Sequence, residues 1–445
     1  MSKHFVVFGN HPALALAELV SVLSDIKLVT AKGKAIILES NHWDGERLMG
    51  LLGGTVKLGD VVLESKVENL KSKDIADFLT AEHSKFCTRG ASALGGEIRN
   101  SSGSKGRSLD FGLTFYGDDR RREAIEKFPM QIKKELKQSD LSVRWVTGDE
   151  GKEISPAAVV KCKLLQTPNA DLVVIGEGGE MESRKDGKVE ENGKKKKEED
   201  GKIYVGRTTH AQNADAWSER DYGRPRRDDR GGMLPPKLAR MMVNLSKTPK
   251  KGVLLDPFCG SGTVLMEAIL ATDAARIVGS DIAERCIRDT QMNDDWLAES
   301  GLVAPEDLKR FEVFRCDARS IDKKIPANTV DAVVTEGWLG PPLRGDESEE
   351  HLRGIAQEVT DIWRKTLVAL KPILKENARI VMVVPSYKAE SHVITPPVAE
   401  ELARLGYEMT HPLNKFDKRP PALFYQRPDQ HLRRNVYIIK LKNAE

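Results

Sequence analysis

The sequence predicts an α/β protein. Its second half reads as a doubly wound, mostly parallel sheet, and its first half as a smaller α+β region. Two observations carry the prediction for the second half. From Gly252 onward, short apolar runs that read as strands alternate with stretches of helical spacing, which implies a parallel sheet covered on both faces. Within that rhythm, Val253-Leu254-Leu255-Asp256-Pro257-Phe258-Cys259-Gly260-Ser261-Gly262-Thr263 reads as a buried strand ended by an acid, a glycine-bearing turn and a helix start. In such sheets this corner lies at the carboxyl edge, where ligands bind.

The residue types narrow the ligand. Gly260 and Gly262 lack a Cβ, so the backbone can approach a ligand closely. No Lys-Ser/Thr ending follows, which argues against a nucleoside triphosphate, and Leu265 stands where a dinucleotide fingerprint has its third glycine. Asp256 beside the turn would repel a pyrophosphate and suits a ligand carrying an ammonium group. S-adenosylmethionine (SAM), whose methionine part is a zwitterion, meets that requirement. Two further acids fall at or just past the next strand ends. Asp281 lies about where dinucleotide folds place the acid that grips ribose hydroxyls, and Asp317 would accept from the adenine amino group. Any one of these acids alone reads as a helix N-cap. Three in succession after a Gly-Ser-Gly turn favour the cofactor reading. Phe258, Thr263, Ile282 and Ala318 flank these groups and complete the candidate cofactor set.

Composition sets the frame. A chain of 445 residues suffices for two or three domains. The formal net charge is only +3, so nucleic-acid contact must come from local basic patches. Cys87, Cys162, Cys259, Cys286 and Cys316 are scattered, which suggests neither a disulfide framework nor a zinc site and fits a reducing compartment. The opening residues carry too short an apolar run for a signal peptide, and no stretch is long enough to span a bilayer. The expectation is a soluble, cytoplasmic protein with no metal and no membrane partner.

In chain order, residues 5–8 read as a buried strand, 10–12 as a turn, 13–23 as a helix, and 27–30 and 35–38 as strands. Gly53-Gly54 then breaks the chain. Beyond it, 74–82 and 121–137 have helical spacing, 108–116 alternates like a strand, 142–146 and 170–176 read as strands, and 158–165 as strand or helix. Residues 177–201 hold many Lys and Glu and almost nothing apolar, so a disordered loop inside one domain is expected, with 173–176 and 203–206 pairing around it. Residues 207–230 interleave arginines with Trp217 and Tyr222, which suits phosphate and base contacts. The nearby acids equally permit a salt-bridged linker. Pro235-Pro236 opens a helix to Leu245, proline being favoured in the first turn. There follow strand 276–280, helix 282–299, strands 311–315 and 330–335, helix 349–370, strand 378–384, helix 397–405 and strand 436–442.

Several strings match a known family. They are Arg220-Asp221-Tyr222-Gly223-Arg224-Pro225, Pro235-Pro236-Lys237-Leu238-Ala239-Arg240 with Asn244-Leu245, the Asp256 to Thr263 motif, Gly279-Ser280-Asp281, Cys316-Asp317-Ala318, and Tyr425-Gln426-Arg427-Pro428-Asp429-Gln430. Residues 220–435 resemble a tRNA guanine-N2 methyltransferase of the THUMP-bearing kind, the group that includes the archaeal enzyme acting on guanosine ten of tRNA. The first half resembles the ferredoxin-like plus THUMP module mainly in domain order. The resemblance implies a ferredoxin-like unit at 1–52, a THUMP-like RNA-binding domain at 53–210 carrying the charged loop 177–201, a basic linker at 211–231, and a Rossmann-like SAM-dependent methyltransferase domain at 232–445. It implies tRNA as substrate, with Arg220, Tyr222, Arg224, Arg226, Arg227 and Arg427 contacting it, and is compatible with a small activating protein partner.

The chain departs from the family at the fourth strand. Amino methyltransferases usually carry Asp or Asn, then Pro-Pro and an aromatic, whereas this chain has Thr335-Glu336-Gly337-Trp338-Leu339-Gly340-Pro341-Pro342. With Trp338 as the aromatic that stacks on the base, Thr335 replaces the acid or amide and Glu336 is a new acid in the pocket. This register begins where the strand ends and supplies an aromatic, and shifting it to 340–343 loses both. The amino nitrogen of guanine is a poor nucleophile because its lone pair is delocalised into the ring. An acceptor for its hydrogens helps localise that pair, and one group must take a proton. A carboxylate also matches guanine's two adjacent donors. Thr335, Glu336 and Trp338 are therefore the candidate catalytic residues, and the expectation is N2-methylguanosine formation in tRNA. The alternatives are an rRNA or DNA substrate, or an RNA-binding protein that has kept the fold and lost catalysis.

Overall fold

The computed structural model describes residues 2–66, 68–93, 108–117, 125–139, 141–148, 153–176, 201–227, 233–390, 392–427 and 430–442. The charged loop expected at 177–201 lies outside the described residues except for Gly201, as do Arg230, Pro428 and Asp429. The chain forms two compact units, one of Met1–Pro12, Asp25–Gly50 and Thr55–Ala214, the other of Ala13–Ser24, Leu51–Gly54 and Asp215–Glu445.

The first unit is built on one eight-stranded sheet. Its strands are β1 (Lys3–Phe8), β2 (Lys27–Lys32), β3 (Ala35–Glu39), β4 (Thr55–Lys66), β5 (Leu109–Tyr116), β6 (Val143–Val146), β7 (Ala170–Gly176) and β8 (Lys202–Ala211), in the order β2-β3-β1-β4-β8-β7-β5-β6. The strand β4 has no counterpart in the sequence reading, yet it pairs antiparallel with both β1 and β8. Residues on either side of Gly53 therefore share one sheet, a different grouping from a division at 52 and 53. Residues 158–165, whose spacing permits strand or helix, begin within the helix Pro156–Lys161, where Ser155 caps by accepting from the Ala158 amide. The helices Ser72–Ala93 and Phe128–Gln138 bury Ile75, Leu79, Ile132 and Leu136 with Phe111 and Leu172 of the sheet. Inside it, Lys57 donates to Asp171 at 3.0 Å and Thr208 to the same carboxylate oxygen at 2.6 Å, tying β4, β7 and β8 together.

In the second unit, α1 (Pro12–Val22) and residues 51–54 meet α2 (Pro236–Ser246) at one buried carboxylate. Glu18 is fully buried and accepts from the amides of Gly53 at 2.8 Å and Gly54 at 2.9 Å and from Asn244 Nδ2 at 2.7 Å. Burial pushes its carboxyl up to about 7 in spite of these donors. Gly54 is glycine because a Cβ there would sit 2.5 Å from that of Ala15.

The sheet of this unit comprises β9 (Val253–Asp256), β10 (Arg276–Asp281), β11 (Phe311–Arg315), β12 (Val330–Glu336), β13 (Leu374–Lys388), β14 (Val393–Ile394), β15 (Tyr407–Met409), β16 (Phe424–Tyr425) and β17 (Leu432–Leu441). Its order is β11-β10-β9-β12-β13-β17-β15, with β14 on β13 and β16 on β17. The first five strands of that order pair in parallel, while β17 pairs antiparallel with both β13 and β15. This is a Rossmann-like α/β fold with a mixed sheet. Strand order reverses between β9 and β12, the switch point beyond whose carboxyl ends ligands bind. Leu254, Leu255, Val333, Val334, Val381 and Val383 are fully buried, which is why these strands read as continuous apolar runs. The helices α3 (Thr263–Ala271), α4 (Glu284–Glu299) and α5 (Glu349–Leu370) cover the sheet, and α5 contributes Leu352, Ile355, Val359, Trp363 and Leu367 to the core at helical spacing. No described helix is long and apolar enough to cross a membrane.

Replacing Glu18 with alanine strands three donors in a buried site. Glu18→Ala is expected to lower the unfolding free energy by about 3 kcal/mol, read by urea denaturation.

Candidate active site

Three carboxylates stand at neighbouring strand ends: Asp281 on β10, Asp256 on β9 and Glu336 on β12. Between β9 and α3 the chain turns through residues 257–262. Gly260 (φ +54°) and Gly262 (φ +84°) both occupy the left-handed region that favours glycine. A Cβ on Gly262 would lie 2.8 Å from the Thr290 methyl, whereas one on Gly260 would meet nothing within 4 Å. Gly262 therefore serves packing, and Gly260 borders open space. The turn is anchored on every side. The Gly260 amide donates to Asp281 Oδ2 at 3.1 Å, the Cys259 amide to the Ser280 carbonyl at 2.9 Å, Thr290 Oγ1 to the Gly260 carbonyl at 2.9 Å, and Asn293 Nδ2 to the Ser261 carbonyl at 2.8 Å. The other oxygen of Asp281 accepts from the Ala283 amide at 2.9 Å.

The acids differ in environment. Asp256 is 1% exposed and accepts from the Phe258 amide at 3.1 Å. Burial, reinforced by the charges of Asp281 and Glu336, pushes its carboxyl up to about 7. Burial also raises Glu336, and Arg434 opposes that rise. Arg434 Nε donates to Glu336 Oε1 at 2.7 Å, and its Nη1 to Gln430 Oε1 at 3.0 Å. Sequence reasoning found Glu336 and missed Arg434, whose only signal was an arginine pair inside the final strand. Thr335 is fully buried beside them, while Trp338 is 38% exposed. Phe258 packs edge-on to Trp363 at 5.6 Å, Thr263 is buried and accepts from Arg224, and Ile282 is exposed beyond Asp281.

Asp317 takes the capping role that competed with the cofactor reading. It accepts from the Arg319 amide at 2.9 Å, and the Arg319 guanidinium grips both its oxygens at 2.9 and 2.6 Å, holding the carboxyl below its usual range. Ala318 next to it is buried.

The six arginine and tyrosine residues expected to contact RNA divide into two groups. Arg220 and Arg224 are corrected by the structure, being 7% and 3% exposed and engaged internally. Arg220 Nε donates to Glu267 at 2.8 Å, and Arg224 Nη1 to Thr263 Oγ1 at 2.7 Å. Arg220 thus takes the salt-bridged role, pairing with the buried Glu267, whereas Arg224 is held by the Thr263 hydroxyl and the sulfurs of Met266 and Met233. Glu267 is 1% exposed and also accepts from Arg240 Nε at 2.8 Å. Sequence reasoning missed it, since a lone glutamate on an apolar helix carries no positional signal. Tyr222, Arg226 and Arg227 are exposed, and the Arg227 guanidinium lies 4.8 Å from the centre of the Tyr222 ring. Arg427 donates to the Tyr425 hydroxyl at 3.4 Å and feels the charge of Asp221. The structure thus keeps four of the six candidates accessible. A separate cavity of about 310 Å³, lined by Lys247, Arg379, His411 and Lys415 among others, lies toward the opposite end of β9. Arg379 and Lys415 there donate to the carbonyls of Leu245 and Ser24.

Residues 224–401 match the family model described as the RMKL-like methyltransferase domain, and residues 126–292 match a DNA methylase family. More particularly, the chain is 36% identical over 160 residues to the tRNA (guanine(10)-N2)-dimethyltransferase of Methanothermobacter thermautotrophicus, covering 35% of this chain and 40% of that protein. It is 33% identical over 157 residues to the enzyme of the same name from Methanocaldococcus jannaschii, covering 35% and 38%. The chain thus spans about two fifths of the length of these curated relatives. Among solved structures, TrmN from Thermus thermophilus aligns over 99% of this chain and 100% of its own, with 16% identity and a TM-score of 0.46.

The division of the arginines is testable. Arg220→Ala leaves Glu267 short of one of its two guanidiniums and should cost about 3 kcal/mol of stability in urea denaturation. Arg227→Ala, on the surface, should change it by less than about 0.5 kcal/mol.

Proposed function

We propose that the chain is a SAM-dependent methyltransferase acting on the exocyclic N2 of a guanosine in tRNA. The observation that carries the reading is the open space over Gly260 at a switch point ringed by Asp281, Asp256 and Glu336. The residues present fit the cofactor. Space beside Gly260 is what a side chain would fill. Asp281 accepts from two amides and retains lone pairs for ribose hydroxyls. Asp256 supplies a negative field for an ammonium group, and Phe258, Gly262, Thr263 and Ile282 shape the surrounding turn. Asp317 and Ala318 are the candidates for the adenine end, where Arg319 must first yield the carboxylate.

In this reading Glu336 accepts from the guanine amino group through the oxygen that Arg434 leaves open, Thr335 packs behind it, and Trp338 stacks on the base from its exposed position. Bound SAM supplies an electrophilic methyl: the amino lone pair forms the new N–C bond as the S–C bond breaks, that pair stays on sulfur, and one amino proton leaves. Glu336 is the acceptor for that proton. Because the leaving group is already good, positioning carries most of the catalysis. Tyr222, Arg226, Arg227 and Arg427 form an accessible aromatic and basic surface suited to RNA. The first unit acts as the ferredoxin-like and THUMP-like RNA-binding module, with the enzyme working in the cytoplasm. The names of the partial relatives support tRNA and the N2 position.

Nucleoside mass spectrometry after incubation with methyl-labelled SAM tests the reading. Label in N2-methylguanosine from tRNA is expected. Label only in rRNA or DNA overturns the substrate, and SAM binding without transfer to any nucleic acid overturns the activity. Asp281→Ala should weaken SAM binding by about 1.5–3 kcal/mol in calorimetry, as for lost hydrogen bonds to a charged group. Trp338→Ala should lose about 1–3 kcal/mol of base stacking, seen as weaker tRNA binding, with SAM affinity retained.

A further inference from the structure

We propose that Arg434 is a positioning residue for methyl transfer, holding Glu336 in one orientation from the antiparallel strand β17 and keeping it ionised as the acceptor for the guanine amino group. The inference rests on the reading of Glu336 given above and adds a residue no motif marks.

The geometry is specific. Arg434 is 1% exposed, although an arginine is among the residues least often buried. It stands opposite Pro385 of β13 and Tyr425 of β16, so its backbone is fixed on two sides. Its Nε reaches Glu336 Oε1 at 2.7 Å, and Gln430 accepts from Nη1 at 3.0 Å. Among the described residues, Arg434 is the one that hydrogen-bonds Glu336, and it does so through a single carboxylate oxygen. The second oxygen, Oε2, is the one left for a substrate donor.

Charge gives the second half of the argument. A guanidinium stays protonated even when buried, so it is a fixed positive charge beside Glu336. Among the described residues an acid also bears on the pair: Asp256 at the end of β9, which feels both Glu336 and Asp281 at the end of β10. Gln430 is neutral. Without Arg434, Glu336 would be a buried carboxylate facing a second one, the arrangement in which one acid keeps its proton. A protonated Glu336 donates where it must accept and cannot take the proton that leaves the amino group. Removing Arg434 should therefore move the acidic limb of the rate profile upward rather than scale the rate at every pH. A merely structural role would do the reverse.

The test is single-turnover methyl transfer to tRNA by the full chain, with saturating SAM, from pH 6 to 9. Arg434→Met should shift the acidic limb up by at least one pH unit. That is a loss of tenfold or more near pH 6.5 that narrows toward pH 9, with SAM and tRNA affinities within twofold. Arg434→Lys, which restores a cation, should recover part of the shift. Equal loss at all pH values, or an unmoved limb, overturns the proposal. Should Arg434→Met fail to fold, Glu336→Gln and the double variant Glu336→Gln/Arg434→Met decide. Matching rate profiles support action through Glu336, and a further loss in the double variant overturns it. Wild-type protein that binds SAM but methylates no tRNA is a separate outcome. It removes the functional reading itself, and this proposal with it, before any variant is compared.

Discussion

Placing three carboxylates at adjacent strand ends of a parallel sheet is the constraint on which the second unit turns. Asp256 is buried and the Glu336 side chain only 11% exposed, and like charges in low dielectric repel strongly. The fold manages this with unlike devices. Asp281 is held by two backbone amides, Glu336 by a buried guanidinium, and Asp256 by one amide and a raised proton affinity. The result is a crevice with stored negative potential, next to the one turn glycine that borders open space. An anionic ligand would be rejected there and a cationic one drawn in.

The turn keeps its shape because its surroundings are pinned. Asn293 on α4 bonds both the turn, at Ser261, and the linker, at Arg226, from the same side chain. Glu267 on α3 ties Arg220 of the linker to Arg240 of α2. The linker is thus bound to the same helices that flank the glycine turn, which fixes the exposed Tyr222 and Arg227 relative to it. Arg220 and Arg240, both buried, thereby help set where the accessible ones stand.

What the sequence disclosed follows from which interactions are local. Strands β9, β10 and β12 announced themselves because burial on both faces demands continuous apolar runs. The turn was legible because left-handed backbone leaves glycine as its mark. Asp256, Asp281 and Glu336 were legible as acids at strand ends. Arg434 and Glu267 were not, because their meaning depends on partners 98 and 47 residues away. Arg220 and Arg224 misled for the same reason: arginines among aromatics suit RNA, but only tertiary structure shows which are buried. Strand β4 was passed over because its run is broken by Gly59 and Asp60 and its outer half is partly exposed. The THUMP-like resemblance rested on domain order, and one sheet built from both sides of Gly53 is a feature no local pattern reports.

A crevice charged to receive an ammonium group betrays itself by the protons it releases. Burial and the neighbouring acids push the Asp256 carboxyl of the free protein up to about 7, so it holds on to its proton far more strongly than an ordinary carboxyl does. A cation seated beside it favours the carboxylate and lowers that value, so the proton must leave. Calorimetry of SAM binding at pH 7 in buffers of different ionisation enthalpy counts the protons exchanged. Release of a fraction of one proton per SAM bound is expected, absent in Asp256→Asn. Binding with no proton release in the intact protein, or equal release in Asp256→Asn, would contradict it.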